Sequence, residues 1–446
     1  MAGPCVAAVA SEDRRVDEAA KPRQPCRRYD PPVPPTTIVG GLRPKAILRA
    51  CYTGMFVQAM LVNLTPLLFV TLAGQFGLSF EQVGRLVLVN FASQMLTDLV
   101  STGIVDRVSA KALAVVANVF AVIGLWIFAL APFRMADPYL GLMLGTVVFS
   151  IGSGLLEVII SPIVERTPGE RKAAMMQLLH AFYPIGKVIV TVTTALLFFT
   201  LGTERWPWMM LGWSLVPAFN AFAFAAIRLP PMFEVGRRTR VRDLLRTRAT
   251  WLALAAILLA GATEVSLAQW ASAFAERGLG VDKLTADLLG LGSFGVGMIV
   301  GRLWFGFRGS EAGLVPLMRR GAIASAGAAL LMAFAGSVWL SLAAVAAAGL
   351  ATSLLWPGVV SLASARFPLA GASLFALLAA AGHTGAGFMP WMVGIAADQV
   401  RSAPAWLAGD LTPEQIGLRV GVSLAAVPAL AMVMVLRYWA RQTAPR

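Results

Sequence analysis

Long apolar runs alternate with short polar segments along most of the chain, from about residue 47 onwards. An α-helix needs about 20 predominantly apolar residues to cross the hydrocarbon core of a bilayer. Windows of this kind centre near Met60, Val89, Ala121, Phe149, Thr191, Val216, Ala260, Ile299, Leu330, Gly349, Gly382 and Ala429. The pattern predicts an all-α integral membrane protein with about twelve transmembrane helices.

The middle of the chain interrupts this pattern, because seven arginines fall between residues 228 and 248. Six predicted spans precede this segment and six follow it, and the two histidines, His180 and His383, fall in the equivalent fifth and eleventh spans. We therefore predict a disordered cytoplasmic tail (1–46), a first six-helix half (47–228), a cytoplasmic Arg-rich linker (229–249), a second six-helix half (250–440) and a cytoplasmic C-terminal tail (441–446).

Composition agrees with a membrane protein, since 58% of the residues are hydrophobic and only 13% are charged. The net charge of +14 would suggest a nucleic-acid partner in a soluble chain. Here the basic residues lie in the tails and in every second short loop, and therefore mostly on one side of the membrane, so we predict contact with the lipid bilayer and no nucleic acid. The positive-inside rule places both termini in the cytoplasm.

The sequence shows few features that are typical of a metal site or a cofactor site. The three cysteines, Cys5, Cys26 and Cys51, all lie at or before the first predicted span, and the chain has only 2 histidines. No cysteine spacing is typical of a metal site, and no nucleotide-binding loop is present. We expect no cofactor, no resident metal and no enzymatic activity.

Polar side chains inside two neighbouring spans indicate a solute pathway. Glu157 shares one helical face with Ser150, Ser153 and Ser161 in the fourth span, and the fifth span carries a second polar face of His180, Tyr183, Lys187, Thr191 and Thr194. A carboxylate at this depth costs a few kcal/mol, so it should face a partner or water rather than lipid.

Glu157 is the leading candidate for coupling transport to protons, and the alternative is a structural ion pair with Lys187. Lys187 could instead bind an anionic solute, or its ammonium could reach the interface. His180 could relay a proton or simply accept a hydrogen bond. Tyr183 could donate a hydrogen bond to a solute hydroxyl or fill the wall of the cavity.

Further candidates come from other spans. Glu264 in the seventh span is a second coupling candidate, Trp270 and Trp356 could form an aromatic platform for a sugar, and Gln58 and Asn63 are polar positions of the first span. Alternatively, the Glu264 carboxylate packs against the start of a neighbouring helix, and the tryptophans lie at the level of the lipid headgroups. Asp98 and Arg302 could line the pathway or help to hold helix ends together.

The segment from Gly103 to Lys111, between the second and third spans, resembles the signature loop of the major facilitator superfamily, G-x-x-x-D-R-x-G-R-R/K. Asp106, Arg107 and Lys111 match this pattern, whereas Ser109 replaces its second glycine. The resemblance implies two six-helix halves that rock around a central cavity. It also implies a gating role for Asp106, Arg107 and Lys111, to which we add Asp98 and Arg302.

Two shorter motifs resemble the fucose-permease-like sugar transporters of that superfamily. Gly154-Leu155-Leu156-Glu157 with Pro162 is similar to their fourth-helix G-x-x-E-x-x-x-x-P, and Leu179-His180-Ala181-Phe182 with Gly186 is similar to a fifth-helix motif. These permeases carry an aspartate in the first helix for proton coupling, and this chain has none there. The resemblance implies a sugar-like solute.

The combined prediction is a monomeric secondary active transporter in the cytoplasmic (plasma) membrane, which moves a small polar solute by proton symport. An exporter or uniporter of another metabolite would need the same architecture without proton coupling. A membrane receptor that does not transport is an alternative of a different class. Flux in liposomes would separate the receptor from both transporters.

Overall fold

The computed structural model describes residues 42–104, 108–169, 172–230, 241–309, 311–367, 371–400 and 410–443. Within these ranges the regular structure is entirely helical, as the apolar pattern predicts. Most of the predicted N-terminal tail (1–46) and half of the Arg-rich linker (231–240) lie outside the described residues. So do Asp106 and Arg107 of the predicted signature loop.

Twelve crossings are labelled α1 to α12 in chain order, and three of them consist of two helical pieces. The bounds are α1 Pro44–Leu67, α2 Phe80–Ile104, α3 Ala110–Leu130, α4 Pro138–Arg166, α5 Lys172–Leu201, α6 Trp206–Trp213 with Leu215–Ala226, α7 Arg248–Ala273, α8 Ser293–Arg308, α9 Glu311–Phe334, α10 Val338–Thr352 with Leu355–Arg366, α11 Gly371–Gln399, and α12 Pro413–Ser423 with Ala426–Thr443.

Eleven of these crossings are long and apolar enough to span a bilayer. The remaining crossing is α11, which has 29 residues and carries the polar residues His383 and Asp398. The prediction of about twelve transmembrane helices is therefore confirmed. Below, the near side is the membrane face at which α1 begins, and the far side is the opposite face.

Local sequence signals set several helix starts. The hydroxyl of Ser109 accepts a hydrogen bond from the amide of Ala112 at 3.1 Å, and Asp137 caps α4 in the same manner. Thr412 and Gln415 form a capping box at the start of α12. Such caps satisfy amide groups that the first turn of a helix leaves without partners. They explain why the polar residues between apolar runs mark the boundaries of the spans.

The buried apolar side chains form three main clusters. One draws on α1 to α6 and on the short helix Phe69–Phe76 that follows α1, with Phe128 and Phe149 among its members. Another draws on the last six spans and the short helix Val241–Leu245 that precedes them. The remaining cluster joins both sets of spans, because Phe69 and Val87 pack in it with Trp270. Its members from α1 and α7 lie near the far-side ends of those helices. Apolar packing between the two sets is therefore concentrated on the far side, and we call this cluster the far-side seal.

Helices α2 and α11 approach closely within this seal. A Cβ atom on Gly84 would lie 3.2 Å from the carbonyl oxygen of Pro390, and a Cβ on Gly387 would lie 3.3 Å from the Cα of Leu88. Small residues let membrane helices pack backbone against backbone in this manner. The Asp398 carboxylate then caps α2 by accepting hydrogen bonds from the amides of Phe80 and Glu81, at 3.1 and 2.6 Å.

Candidate functional site

Three ionisable side chains from three helices meet inside the membrane-spanning region. Nδ1 of His383 on α11 lies 3.0 Å from Asp98 Oδ2 on α2, and its Nε2 lies 3.4 Å from Glu157 Oε2 on α4. The imidazole thus stands between two carboxylates, one facing each nitrogen. Because α2 and α4 belong to the first six spans and α11 to the last six, we call this group the bridging cluster.

Gln58 on α1 adds a fourth side chain, since its Nε2 donates a hydrogen bond of 2.7 Å to the same oxygen of Glu157. Exposure differs sharply within the cluster. The side chain of Glu157 is 29% exposed, whereas those of His383 and Asp98 are 4% and 2% exposed. Glu157 is therefore the most accessible of the three ionisable members of the cluster.

The charge on the bridging cluster depends on its protons. A neutral imidazole donates from one nitrogen only, whereas the imidazolium donates from both. The two-sided arrangement therefore suits a protonated His383 that attracts both carboxylates. At Asp98 the attraction is electrostatic, because neither of its oxygens has a well-aligned hydrogen bond in the part of the chain that the structure describes.

Apolar rings surround the imidazole. The ring of Phe91 lies 5.7 Å from it and the ring of Trp356 lies 6.1 Å from it, centroid to centroid. Such surroundings lower the local dielectric constant and strengthen the attraction between opposite charges. Trp356, predicted as part of a sugar platform, is thus half-buried beside the bridging cluster.

The three ionisable groups could also be considered as metal ligands, since their candidate atoms all lie within 4.8 Å of one another. A metal ion would take a single imidazole nitrogen and need further ligands. Here each nitrogen of His383 already faces a carboxylate. The geometry favours proton and charge chemistry at this position.

Other polar residues of α2 and α4 hold these two helices together. Gln94 donates to Asn90 at 2.6 Å, Ser150 donates to Asn90 at 3.0 Å, and Ser153 donates to Gln94 at 3.0 Å. All four side chains are buried. The polar stripe around Glu157 thus divides into a buried hydrogen-bonded ladder on the far side and the partly exposed carboxylate of Glu157 on the near side.

The polar face of α5 shows a gradient of exposure. His180 is exposed, Tyr183 is half-buried, Lys187 is 3% exposed and Thr191 is fully buried. These four residues share one face and follow one another from the near side to the far side. The gradient indicates a cavity that opens toward the near side and ends at about the level of Lys187.

Lys187 does not pair with Glu157, although this ion pair was the structural alternative for Glu157. No ion pair within 4.0 Å joins these two side chains, both of which the structure describes. The ammonium of Lys187 lies instead 5.8 Å from the ring centroid of Tyr183 and 5.2 Å from that of Phe294. Glu157 meets His383, which the sequence reasoning had not assigned to the site.

The remaining candidates fall into different surroundings. Glu264 is 7% exposed and its Oε2 has no hydrogen-bond partner within the described ranges. Arg302 is half-buried and donates from Nε to the carbonyl oxygen of Ser353 at 3.2 Å. Asn63 is fully buried and donates to the carbonyl of Ala59, within its own helix.

Trp270 lies in the far-side seal and does not face the cavity. It is fully buried, its Nε1 donates to the carbonyl oxygen of Pro390 at 2.8 Å, and Phe69 and Phe80 pack edge-on against its ring. In this conformation a solute could not stack on it. Lys111 is half-buried at the start of α3, next to the part of the predicted signature loop that lies outside the described residues.

A second ionic group closes the far side. Lys283 Nζ lies 2.7 Å from Asp287 Oδ1 and 3.6 Å from Glu276 Oε2, and it donates to the carbonyl oxygen of Leu67 at 2.7 Å. Asp287 is fully buried and also accepts a hydrogen bond from Ser272. Leu67 ends α1, whereas Ser272 lies in α7 and the other three residues lie in the short helical segments Phe274–Gly278, Lys283–Ala286 and Asp287–Gly292 that connect α7 to α8. Lys283 therefore ties the first six spans to the last six.

Known structures share this fold. A bacterial homologue of the human lysosomal transporter Spinster, in an inward-facing and unoccupied conformation, superimposes with a TM-score of 0.69 at 14% identity, over 89% of this chain and 97% of that chain. The nucleoside transporter NupG, crystallised as a point mutant, gives a TM-score of 0.70 at 12% identity, over 87% and 99%.

Among curated proteins, no sequence matches this chain. Residues 51–310, more than half of the chain, match the family profile described as Major Facilitator Superfamily. The chain therefore belongs to the Major Facilitator Superfamily, and as a member of that family it is a membrane transporter and not an enzyme.

Proposed function

We propose that this protein is a secondary active transporter that carries a small, sugar-like polar solute together with protons. The far side is closed by the apolar seal and by Lys283, while the exposure gradient along α5 indicates an opening on the near side. The positive-inside rule assigns the near side to the cytoplasm. Transport would proceed by rocking of the first six spans against the last six.

The bridging cluster is the observation that carries the proposed coupling. It joins α11 to α2 and α4 through charge alone, and its one accessible member is Glu157. When Glu157 takes a proton, its attraction to the His383 imidazolium is lost and the contact with α11 weakens. A proton that enters through Glu157 thereby changes how strongly the two sets of spans are held together.

The proposal of a sugar-like solute rests on two supports. The fourth-helix and fifth-helix motifs around Glu157 and His180 resemble those of fucose-permease-like transporters. The side chains near the cavity also suit hydroxyl groups, since Tyr183 can donate and Glu264 can accept hydrogen bonds. Trp356 offers an aromatic surface for the apolar face of a sugar ring.

Uptake by proteoliposomes tests this function. Labelled sugars and organic acids would be offered to purified protein with and without an inward proton gradient. We expect one chemical class to accumulate only when the gradient is imposed. Flux that is insensitive to the gradient would instead support an exporter or uniporter, and binding without any flux would support a receptor.

A further inference from the structure

Lys187 is a buried cation for which the described part of the chain supplies no close counter-charge. Its side chain is 3% exposed, and no carboxylate lies within 4.0 Å of Nζ in the part of the chain that the structure describes. Burying a charge without a paired opposite charge is strongly unfavourable. Lys187 therefore needs an anionic partner that the described residues do not provide.

The surroundings of Lys187 hold the ammonium in a fixed position. Its aliphatic stem packs against Gly295 of α8, where a Cβ atom would lie 3.6 Å from the stem carbons. The rings of Tyr183 and Phe294 flank the ammonium at 5.8 and 5.2 Å. Cation–π contacts of this kind orient a charge but leave its hydrogen-bond donors available.

The location matches the blind end of the cavity. Along the polar face of α5, His180 is exposed and Tyr183 is half-buried, and Lys187 is the last charged residue before this face becomes fully buried. A solute that entered from the near side would meet Lys187 at the deepest accessible point.

Glu264 supplies the second half of the site. It interacts electrostatically with Lys187 across the two sets of spans, yet the two side chains form no ion pair within 4.0 Å. The Oε2 atom of Glu264 is buried and has no hydrogen-bond partner among the described residues. A gap thus separates a donor group on α5 from an acceptor group on α7.

We infer that the solute is a hydroxylated carboxylic acid, such as a sugar acid, whose carboxylate binds Lys187 and whose hydroxyl group donates to Glu264. This inference rests on the proposed transport function and narrows its solute class. Arg302 interacts electrostatically with both Lys187 and His180, and its positive charge also favours an anion in the cavity. A neutral sugar would leave Lys187 without a counter-charge.

Ligand-induced thermal stabilisation of the purified protein tests the inference without any proton gradient. The panel pairs glucose with gluconate, galactose with galacturonate, and adds glucose 6-phosphate. We expect a sugar acid to raise the melting temperature, and its neutral partner to do so only at a concentration at least tenfold higher. The inference would be overturned if a neutral sugar stabilised the protein as well as its acid or better. It would also be overturned if only the phosphate ester stabilised the protein, or if neither sugar acid did.

Variants then localise the effect. Lys187→Met should weaken the apparent affinity for the acid at least tenfold, and Lys187→Arg should retain most of it. Lys45→Met removes an exposed lysine at the start of α1 and should change nothing. Unchanged affinity in Lys187→Met would refute the site, and if that variant fails to fold, the wild-type panel still decides on the solute class.

The outcomes also separate this inference from the proposed symport. Gradient-driven uptake of a neutral sugar, without binding of its acid, would keep the symport and reject the role of Lys187. Binding of a sugar acid that depends on Lys187, together with uptake that ignores the proton gradient, would keep the site and reject the symport.

Discussion

Two lysines, the buried Lys187 at the end of the cavity and the half-buried Lys283 on the far side, differ in how their charges are satisfied. Lys283 in the far-side region lies within 2.7 Å of both a carboxylate oxygen of Asp287 and the carbonyl oxygen of Leu67. Lys187 in the cavity region has only two aromatic rings as close charge-stabilising neighbours among the described residues. The satisfied lysine ties the two sets of spans together. The unsatisfied lysine is the one to which we assign the carboxylate of the solute.

The bridging cluster combines features of both regions. His383 and Asp98 are as buried as the far-side ion pair, yet Glu157 is 29% exposed toward the cavity. Burial makes the charges of the cluster interact strongly. Because one member is partly exposed, a proton can reach it and change the net charge of the cluster. We expect this combination in a site that couples transport to protons, and not in a purely structural ion pair.

The largest effect should follow from removal of the shared cation, by His383→Ala. This change leaves Asp98 and Glu157 as two carboxylates without their imidazolium, and breaking a buried charge pair in this way costs about 3 to 5 kcal/mol. We expect a clear loss of melting temperature and of gradient-driven uptake. Adding Asp98→Asn should restore part of the stability, because one of the like charges is then removed.

The control for this prediction is His180→Ala. His180 is exposed, so its removal should change the melting temperature little. If both histidine variants are equally stable, the bridging cluster contributes nothing to holding α11 against α2 and α4.

The second-largest expected effect is a more open far side in the variant Lys283→Met. The hydrogen bond from the ammonium to the carbonyl of Leu67 is lost, and bonds to charged groups contribute about 1.5 to 3 kcal/mol. The ratio of open to closed far-side conformations should therefore rise by about tenfold or more. Spin labels at Arg134→Cys and Ser337→Cys, in a background without the native cysteines, should report longer distances.

Arg277→Met is the matched control on the same side. Arg277 lies 3.9 Å from Glu414 and both side chains are about half exposed, so this pair should contribute less than about 1 kcal/mol. A distance distribution that changes as much in Arg277→Met as in Lys283→Met would show that Lys283 has no special role in closing the far side.

The smallest effect concerns Asp282, which caps the turn that carries Lys283 by accepting from the amide of Thr285 at 3.0 Å. Hydrogen bonds from the Thr285 side chain and amide lower the pKa of this carboxyl below its usual value. Its stabilising contribution is therefore present above the ordinary aspartate pKa and is lost as the pH falls through the lowered value.

Asp282→Ala should accordingly cost about 0.5 to 1 kcal/mol at neutral pH, near the lower end for helix caps because the residue is exposed. The difference in melting temperature from wild type should shrink on acidification. Asp282→Asn keeps the capping oxygen and should lose only the pH dependence. A wild-type-to-alanine difference that persists unchanged in acid would contradict the role of the carboxylate.

The sequence was sufficient to predict the spans and the leading carboxylate. Apolar runs and caps are local features, so the helix count and the membrane location follow from them. Glu157 stands out because a carboxylate within an apolar run needs a special environment. Lys187 was also placed near the cavity by its position on a polar helical face, and Gln58 was a candidate because it is a polar position within the first span.

The partners of these residues could not be predicted in the same way. His383 is the main ionisable group in the middle of α11, which is a signal that could have drawn attention to it, but its position between Asp98 and Glu157 depends on how three distant helices pack. Trp270 was expected to face a sugar and lies in the far-side seal. Which tryptophan faces the cavity depends on the conformation, and a linear pattern does not contain that information.

The most direct test of proton coupling compares accumulation with exchange in proteoliposomes that contain Glu157→Gln. Glu165→Gln, an exposed carboxylate at the near-side end of the same helix, is the control. We predict that Glu157→Gln loses gradient-driven accumulation by tenfold or more while solute exchange across the membrane continues, and that Glu165→Gln retains both. Accumulation at the wild-type level in Glu157→Gln would contradict the proposal that a proton enters the transport cycle through Glu157.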